Sequence, residues 1–206
     1  MRKLLLLLLL CTASVSFAQQ KTIAIRCGHL LDVRSGKMLS NQIIFIKGNK
    51  IESVTDAAAF KQKADTSIDL SNYYILPGLI DCHTHVLLQG DITTEDYYAQ
   101  VLKESIPYRT LRASKSAYQS LLNGFTTIRD LGTEGAGYAD VDIKKAIHKK
   151  IIPGPRMFVS TLAINTTGHY LIAEKDYAWE LKLPKGLQEI TGADEGRKAV
   201  REQIAH

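Results

Sequence analysis

The stretch "LPGLIDCHTHV" at residues 76–86 carries the strongest structural signal in this sequence. Its continuous apolar run, introduced by a proline and a glycine, is typical of a strand that is buried on both faces of a parallel sheet. His83 and His85 end the run, and Asp81 lies one step before them. Because side chains alternate between the two faces of a strand, these three residues point the same way, with about 6.6 Å between successive members.

This spacing has a chemical consequence. Two imidazoles on one face of a strand can bind the same metal ion, each through a bond of about 2.0–2.1 Å. His-x-His spacing alone is a weak signal, but here the pair ends an apolar strand that a Pro-Gly pair introduces, so His83 and His85 are candidate metal ligands. Asp81 lies on the same face, and we predict that it orients a ligand histidine through a hydrogen bond without touching the metal itself.

The sequence after Pro77 alternates between strand and helix patterns. Further strand patterns cover residues 125–132 and 156–164, and helix patterns cover 111–122, 138–150 and 193–206. This order is typical of parallel βαβ units, in either a doubly wound sheet or a (β/α)8 barrel. The glycine-rich segment 132–137 fits neither a dinucleotide fingerprint nor a phosphate-binding loop, so we predict a mobile loop over the strand ends. Barrel chemistry lies at the carboxyl ends of strands, where the two histidines fall, and this favours the barrel.

Residues 19–76 have a different pattern, made of short β-type runs joined by turns that contain glycine and asparagine. The runs cover residues 22–26, 29–33, 41–47, 50–54, 66–70 and 73–76. Gly48-Asn49 stands between two of them and predicts a two-residue hairpin turn. The pattern as a whole predicts a small β-sandwich or an open barrel. His29 is predicted to be an ordinary strand residue and not a ligand.

Residues 1–18 have the form of a secretory signal peptide, with two basic residues, a leucine run and small residues that end at Ala18. We predict a secreted or periplasmic protein without a stable membrane anchor, because the apolar run is shorter than the roughly 20 residues that span a bilayer. A lipid anchor on Cys11 is the alternative, although Leu10 stands where such signals have a small residue. Cys27 and Cys82 each lie in a strand pattern and are not predicted to form a disulfide.

The charge pattern argues against a nucleic-acid partner. The formal net charge is only +5, and the basic residues do not cluster with aromatic ones. The lysines of residues 144–150 lie in the 138–150 helix pattern, where a solvated helix face is the simpler explanation. Homo-oligomerisation stays open at this level.

Several of these stretches together resemble the amidohydrolase superfamily. "ILPGLIDCHTHV" (75–86) is similar to the first barrel strand of its members, and residues 21–76 resemble the start of their composite β-sandwich. "GFTTIRDLG" (124–132) and "IPGPRMFVS" (152–160) resemble the second and third barrel segments of the branch that contains imidazolonepropionase-like and Xaa-Pro dipeptidase (prolidase)-like enzymes. The resemblance implies an α/β chain: the first part of a β-sandwich over 19–76, then the first three βα units of an incomplete TIM-type barrel over 77–206.

In function, the resemblance implies hydrolysis of a carbon–nitrogen bond in an amide, a cyclic amide or an Xaa-Pro dipeptide, so the expected partner is a small-molecule or dipeptide substrate. One or two divalent ions, usually zinc, polarise the carbonyl and activate a water in such enzymes. His83 and His85 would hold the more buried ion. His169, in "NTTGHY", resembles a histidine that these enzymes place near the substrate, with an ordinary loop histidine as the alternative. Asp130 is either a support for the site or a cap or loop hydrogen-bond acceptor.

The remaining parts of the family's site are expected beyond His206: a carboxylated lysine or a glutamate, two further histidines and an aspartate that shuttles the proton. A complete barrel takes about 250 residues, more than follow Pro77. We therefore expect an N-terminal fragment that is inactive by itself. Two alternatives stay open. One is a phosphotriesterase-like metal hydrolase, and the other is a secreted, non-catalytic scaffold that retains part of the barrel.

Overall fold

The computed structural model describes residues 20–90, 94–169 and 177–206. Backbone packing divides the chain at Pro77–Gly78 into an N-terminal unit and a C-terminal unit. The predicted signal peptide at residues 1–18 lies outside the described residues. None of the described helices combines the length and the apolar character needed to cross a membrane.

The N-terminal unit is a four-stranded sheet with the strand order β3-β2-β1-β4. Its strands are β1 Thr22–Asp32, β2 Lys37–Lys47, β3 Lys50–Asp56 and β4 Thr66–Ile75. β2 pairs antiparallel with β1 and with β3, whereas β4 pairs parallel with β1. The turn predicted at Gly48-Asn49 is confirmed, and it joins β2 to β3. Gly48 adopts a φ of 61°, a left-handed conformation that favours glycine.

The six predicted β-type runs form only four strands. Runs 22–26 and 29–33 merge in β1, and runs 66–70 and 73–76 merge in β4. β1 continues because a bulge at Gly28 absorbs a shift in its pairing with β4. A Cβ atom on Gly28 would lie 2.0 Å from the backbone oxygen of Ser71, so this close approach requires glycine.

Apolar side chains cover both faces of this sheet. One cluster consists of Ala24, Ile43 and Phe45 under the segment that follows β3, and the cluster on the opposite face consists of Cys27, Leu30 and Ile44. The described part of this unit contains one sheet, so a second sandwich layer does not lie within it. His29 stacks on Tyr74 with 4.4 Å between the ring centroids, which agrees with the ordinary strand position predicted for it.

The C-terminal unit contains a parallel sheet, flanking helices and a small separate pair of strands. Its elements are β5 Leu79–Thr84, α1 Thr94–Lys103, α2 Ile106–Leu122, β6 Phe125–Asp130, α3 Ala139–His148, β7 Arg156–Val159, β8 Ala163–Thr166, β9 Leu187–Ile190 and α4 Gly192–Ile204. The main sheet has the order β5-β6-β7, and all of its pairs are parallel. The predicted parallel βαβ order is therefore present from β5 to β7.

Helix α2 connects β5 to β6 and has a clear beginning and end. The Ser105 side chain accepts a hydrogen bond from the Tyr108 amide at 3.4 Å, which caps the first turn. Pro107 stands in that turn, where its missing N–H leaves no intrahelical bond unmade. The predicted terminator Gly124 follows the last turn with a φ of 92°. The helix begins at Ile106, earlier than the 111–122 pattern predicted, because this cap lies ahead of the apolar periodicity.

Helices pack against one face of the parallel sheet. Ile128 of β6 and Met157 of β7 lie in a buried cluster with residues of α2 and α3. Full burial of such a side chain contributes about 1.5–3 kcal/mol. The next residues along these strands, Arg129 and Phe158, are exposed on the other face. The prediction that the first strand is buried on both faces is therefore wrong for the described residues, and Ile80 of β5 is 65% exposed.

The third strand pattern, 156–164, is two strands and not one. β7 ends at Val159 and β8 begins at Ala163, because Thr161 between them has a φ of 62° that no strand accommodates. The Thr161 amide donates instead to Asp140 of α3, at 2.9 Å. β8 then pairs parallel with β9, so the predicted helix after the third strand, observed as α4, follows β9. Helix α1 is also an element that the sequence pattern did not predict.

Candidate metal centre at the carboxyl end of the parallel sheet

His83 and His85 meet at the carboxyl end of β5. His83 is the penultimate residue of β5, and His85 follows Thr84, the last residue of that strand. Their Nε2 atoms lie 3.2 Å apart, and the ring planes are inclined by 59°. Two nitrogen ligands of one tetrahedral ion, at about 2.05 Å each, are separated by about 3.3 Å. The separation of the two imidazoles is that of a ligand pair and equally that of a hydrogen bond between the rings.

The second ring nitrogen of His85 faces two acceptors. Its Nδ1 lies 3.4 Å from the Gly132 carbonyl oxygen and 3.4 Å from Oε1 of Glu134. The Gly132 contact is a long hydrogen bond, whereas the Glu134 carboxylate lies at ion-pair distance without hydrogen-bond geometry. A carbonyl acceptor and a nearby negative charge both favour a proton on Nδ1. A proton on Nδ1 leaves the Nε2 lone pair directed at the Nε2 of His83. Metal-ligating histidines are held in the same way.

Asp81 holds the backbone next to the pair. Its Oδ1 accepts a hydrogen bond from the His83 amide at 3.0 Å. The carboxylate thus orients His83 through the main chain, whereas the sequence predicts a bond to an imidazole. Such a bond restrains the strand end from which the ring projects, and a role in positioning the ligand stays a prediction.

Asp130 ties the ends of β5 and β6 together. This fully buried carboxylate accepts the Val86 amide at 2.8 Å and the Thr84 hydroxyl at 3.5 Å through Oδ1. Burial, reinforced by the charge of Asp140, raises the pKa of Asp130 to about 6. The observed contacts are those of a loop hydrogen-bond acceptor, and a role in supporting the site stays a prediction.

The glycine-rich segment 132–137 is bound on several sides. The Thr133 amide donates to the Thr161 carbonyl at 2.9 Å, and the Gly135 amide donates to the Gly186 carbonyl at 3.0 Å. Thr133 and Ala136 are buried. The prediction of a mobile loop is therefore wrong, because hydrogen bonds pair the backbone groups of this segment and neighbouring residues bury part of it.

A buried arginine on α2 explains why that segment is held. The Arg109 guanidinium donates to the carbonyl oxygens of Leu87 and Thr133 at 3.2 and 3.3 Å and to that of Glu134 at 2.9 Å. Arg109 is 1% exposed, and burial lowers the pKa of its guanidinium. Because a guanidinium has five N–H donors, one side chain can bind the segment after His85 and the segment after β6 at once.

His169 and Glu134 line the same cavity. Its volume is about 500 Å³, and its wall consists of Tyr97, Glu134, Ala163, Asn165, Gly168, His169 and Leu187. Oε2 of Glu134 accepts from the Tyr97 hydroxyl at 2.9 Å, while Oε1 faces His85. The Asn165 amide donates to the His169 carbonyl at 3.0 Å and holds that part of the wall. Glu134 therefore connects the histidine pair with the cavity that contains His169.

The donor set fits a divalent cation in part. Two imidazoles whose Nε2 atoms approach each other are suitable ligands for zinc, which takes four in most proteins. Within residues 20–90, 94–169 and 177–206, no cluster of three or more His, Cys, Asp or Glu could hold an ion. Among the described residues, His83 and His85 are the two candidate ligands of such a site.

Sequence reasoning missed Glu134, Tyr97 and Arg109. Glu134 carries a detectable signal, because it follows the end of β6 by four residues and barrel chemistry gathers at such ends. Tyr97 lies on α1, which was itself not predicted. Arg109 looks like any solvated helix arginine until its helix packs.

Comparison with known proteins agrees with this geometry. The model of the amidohydrolase family matches residues 74–206, more than half of the chain. Ochratoxinase of Aspergillus niger is 28% identical over 158 residues, which are 75% of this chain and 32% of that protein. Imidazolonepropionase of Pseudoalteromonas atlantica is 34% identical over 92 residues, which are 40% of this chain and 23% of that protein.

Solved structures show the same relationship. A crystal structure of a Xaa-Pro dipeptidase with bound methionine has a TM-score of 0.74 and 27% identity, over 90% of this chain and 45% of that one. The A. niger ochratoxinase structure has a TM-score of 0.71 and 26% identity, again over 45% of its chain. The chain thus spans less than half the length of these relatives, and the mixed α/β architecture matches their N-terminal part. The resemblance predicted from the His-x-His strand is confirmed, and the chain belongs to the amidohydrolase family.

Proposed function

We propose that this chain provides part of the active site of a metal-dependent hydrolase that cleaves a carbon–nitrogen bond. His83 and His85 bind a divalent cation, with zinc as the first choice. The observation that carries the proposal is the 3.2 Å separation of their Nε2 atoms at the end of β5. Family membership supports the same chemistry, since amidohydrolases are typically metal-dependent.

Each residue of the site has a separate task in this proposal. A bound divalent cation would polarise the scissile carbonyl and lower the pKa of a water toward 7. Glu134 and the Gly132 carbonyl keep the proton of His85 on Nδ1. Asp81 restrains the backbone of His83, and Asp130 restrains the segment that follows His85.

The substrate class is a small amide or a dipeptide. The cavity of about 500 Å³ beside Glu134 is within the range that holds such ligands. His169 in its wall is the side chain that we propose contacts the substrate. The similarity to a Xaa-Pro dipeptidase, and to a prolidase complexed with N-methylphosphonate-L-proline at 25% identity, supports Xaa-Pro dipeptides as the first compounds to assay.

The complete ligand set is proposed to belong to a longer polypeptide. The chain covers 45% of the similar solved chains and supplies two metal ligands among its described residues. Since two imidazoles leave half of a zinc coordination sphere to other donors, we expect the 206-residue chain alone to bind the ion weakly and to lack turnover. The signal peptide predicted at residues 1–18 makes export from the cytoplasm part of this proposal.

Metal binding by the 206-residue chain tests the proposal. In equilibrium dialysis at free zinc concentrations high enough to saturate a weak site, bound zinc is expected to approach one ion per chain and to fall to background in His83→Ala. His148→Ala is the matched control, because His148 is an exposed histidine at the end of α3 and outside the site. Less than one ion per chain, unchanged by His83→Ala, would contradict the proposal and favour a non-catalytic scaffold.

A further inference from the structure

We propose that Glu134 is a positioning residue that sets the tautomer and orientation of His85, and thereby the affinity of the His83–His85 pair for a divalent cation. This inference rests on the metal site proposed above. It assigns a task to a carboxylate that the sequence patterns did not single out and that lies 49 residues beyond His85 in the chain. Its support comes from contacts, burial and backbone conformation.

Glu134 uses both carboxylate oxygens within the site. Oε1 lies 3.4 Å from Nδ1 of His85, and Oε2 accepts the Tyr97 hydroxyl at 2.9 Å. The Glu134 side chain is only 17% exposed, so water competes little for either oxygen. Because the tyrosine fixes one oxygen, the other stays directed toward the histidine. The three side chains form one chain of contacts from α1 to the end of β5.

The backbone of Glu134 is held in a conformation that few residues adopt. Its φ is 49°, in the left-handed region that disfavours residues with a side chain. Such a conformation persists where the surrounding structure enforces it. Here the Arg109 guanidinium binds the Glu134 carbonyl at 2.9 Å, and the following amide, that of Gly135, donates to the Gly186 carbonyl. The fold therefore fixes the direction in which the Glu134 side chain leaves the main chain, and this side chain does not exchange among equivalent surface rotamers.

The carboxylate adds something that the nearby backbone does not. The Gly132 carbonyl is also 3.4 Å from Nδ1 of His85 and can accept the same proton. A carboxylate in addition raises the basicity of the opposite nitrogen and restrains the ring, and loss of such partners typically weakens metal binding 10- to 100-fold. Removal of the Glu134 side chain is therefore expected to weaken binding without abolishing it, whereas removal of His83 abolishes it.

Metal affinity in the full 206-residue chain is the first readout, measured with zinc against a chromophoric chelator. We expect Glu134→Ala to bind zinc about 10- to 100-fold more weakly than the unmodified chain. Glu134→Gln retains an acceptor oxygen but no charge, so its loss should be smaller, and Tyr97→Phe should lose a few-fold. Glu180→Ala removes an exposed glutamate of the same unit and is the matched control, with unchanged affinity.

The tautomer of His85 is the second readout and requires no metal. In ¹⁵N spectra of the metal-free chain at alkaline pH, the His85 ring should carry its proton on Nδ1. The Glu134→Ala variant should show an increased share of the Nε2–H form, because the negative charge beside Nδ1 is gone. A residue that only stabilised the fold would not move this ratio. Glu134→Gln and Tyr97→Phe keep the test available if Glu134→Ala fails to fold.

The two readouts separate the two proposals. Equal zinc affinity in the unmodified chain and Glu134→Ala, with binding lost in His83→Ala, overturns the positioning role and leaves the metal site standing. No zinc binding by the unmodified chain contradicts the metal site, and the ¹⁵N ratio then tests Glu134 alone. An unchanged tautomer in Glu134→Ala overturns the inference in that case.

Discussion

The two units of this protein bury different kinds of side chain. Among the described residues, every buried polar or charged side chain lies in the C-terminal unit, and the N-terminal unit buries apolar side chains and one cysteine. A buried polar group destabilises a protein unless hydrogen bonds satisfy it. Arg109 and Asp140 have such bonds, and they run to loops at the carboxyl end of the sheet. Apolar packing thus stabilises the N-terminal sheet, whereas buried polar side chains of the C-terminal unit hold loop segments around the site.

The largest effect is expected when the arginine that binds those loops is removed. Arg109→Met keeps most of the volume but removes the guanidinium that donates to the carbonyls of Leu87, Thr133 and Glu134, of which that of Thr133 retains the Ala136 amide as a donor. Loss of hydrogen bonds to a charged group, with buried acceptors left unpaired, should lower the free energy of unfolding of the C-terminal unit by about 3–5 kcal/mol. Arg26→Met, on an exposed arginine of β1 that contacts Asn41, should cost less than about 1 kcal/mol.

Hydrogen exchange followed by mass spectrometry can assign these losses to a unit. Arg109→Met should speed exchange in residues 131–137 and leave exchange in residues 22–56 unchanged. Equal acceleration in both regions would contradict the view that the buried polar groups act within the C-terminal unit.

A smaller effect, with a definite pH dependence, is expected at Asp130. Its pKa of about 6 in the folded chain lies above the ordinary value of 3.8, so the folded state retains a proton that the unfolded state has lost between these values. The stabilising contribution is therefore complete below pH 3.8 and is lost as the pH rises through 6. The shift of about two units corresponds to about 3 kcal/mol.

Asp130→Asn tests this contribution because asparagine can still accept the Val86 amide but cannot ionise. Urea denaturation should show that the variant loses less stability than the unmodified chain as the pH rises from 4 to 7. Asp142→Asn, at an exposed position of α3, controls for the loss of one carboxylate. Parallel pH profiles for Asp130→Asn and the unmodified chain would contradict burial as the cause of the raised pKa.

The smallest effect concerns backbone fit in the N-terminal sheet. Gly28→Ala would place a Cβ atom 2.0 Å from the Ser71 carbonyl oxygen, so the bulge between β1 and β4 has to shift. We expect a loss of about 1–3 kcal/mol, confined to the N-terminal unit. Gly36→Ala is the control, since no atom lies within 4 Å of its added Cβ and only the strain of a φ of 68° remains. A thermal melt of each variant, with hydrogen exchange to locate the change, measures the difference.

Local patterns predicted much of the fold because they depend on neighbouring residues. Periodicity indicated β5, β6 and α3, and Gly124 marked the end of α2 by its freedom to adopt a positive φ. The pairing of strands that are distant in the sequence was harder to predict. β8 pairs with β9 across a separation of 24 residues, and both strands are only four residues long, too short to show a period.

The candidate site likewise combines features that depend on neighbouring residues with features that depend on long-range packing. The alternation of a strand is a local property, so the sequence alone determined that His83 and His85 share a face, while a metal ion as their ligand stays a prediction. Tertiary structure was required for Glu134, Tyr97 and Arg109, which come from three segments that approach His85 only when the helices pack on the sheet. Their roles depend on distances across the fold, and no spacing along the chain encodes those distances.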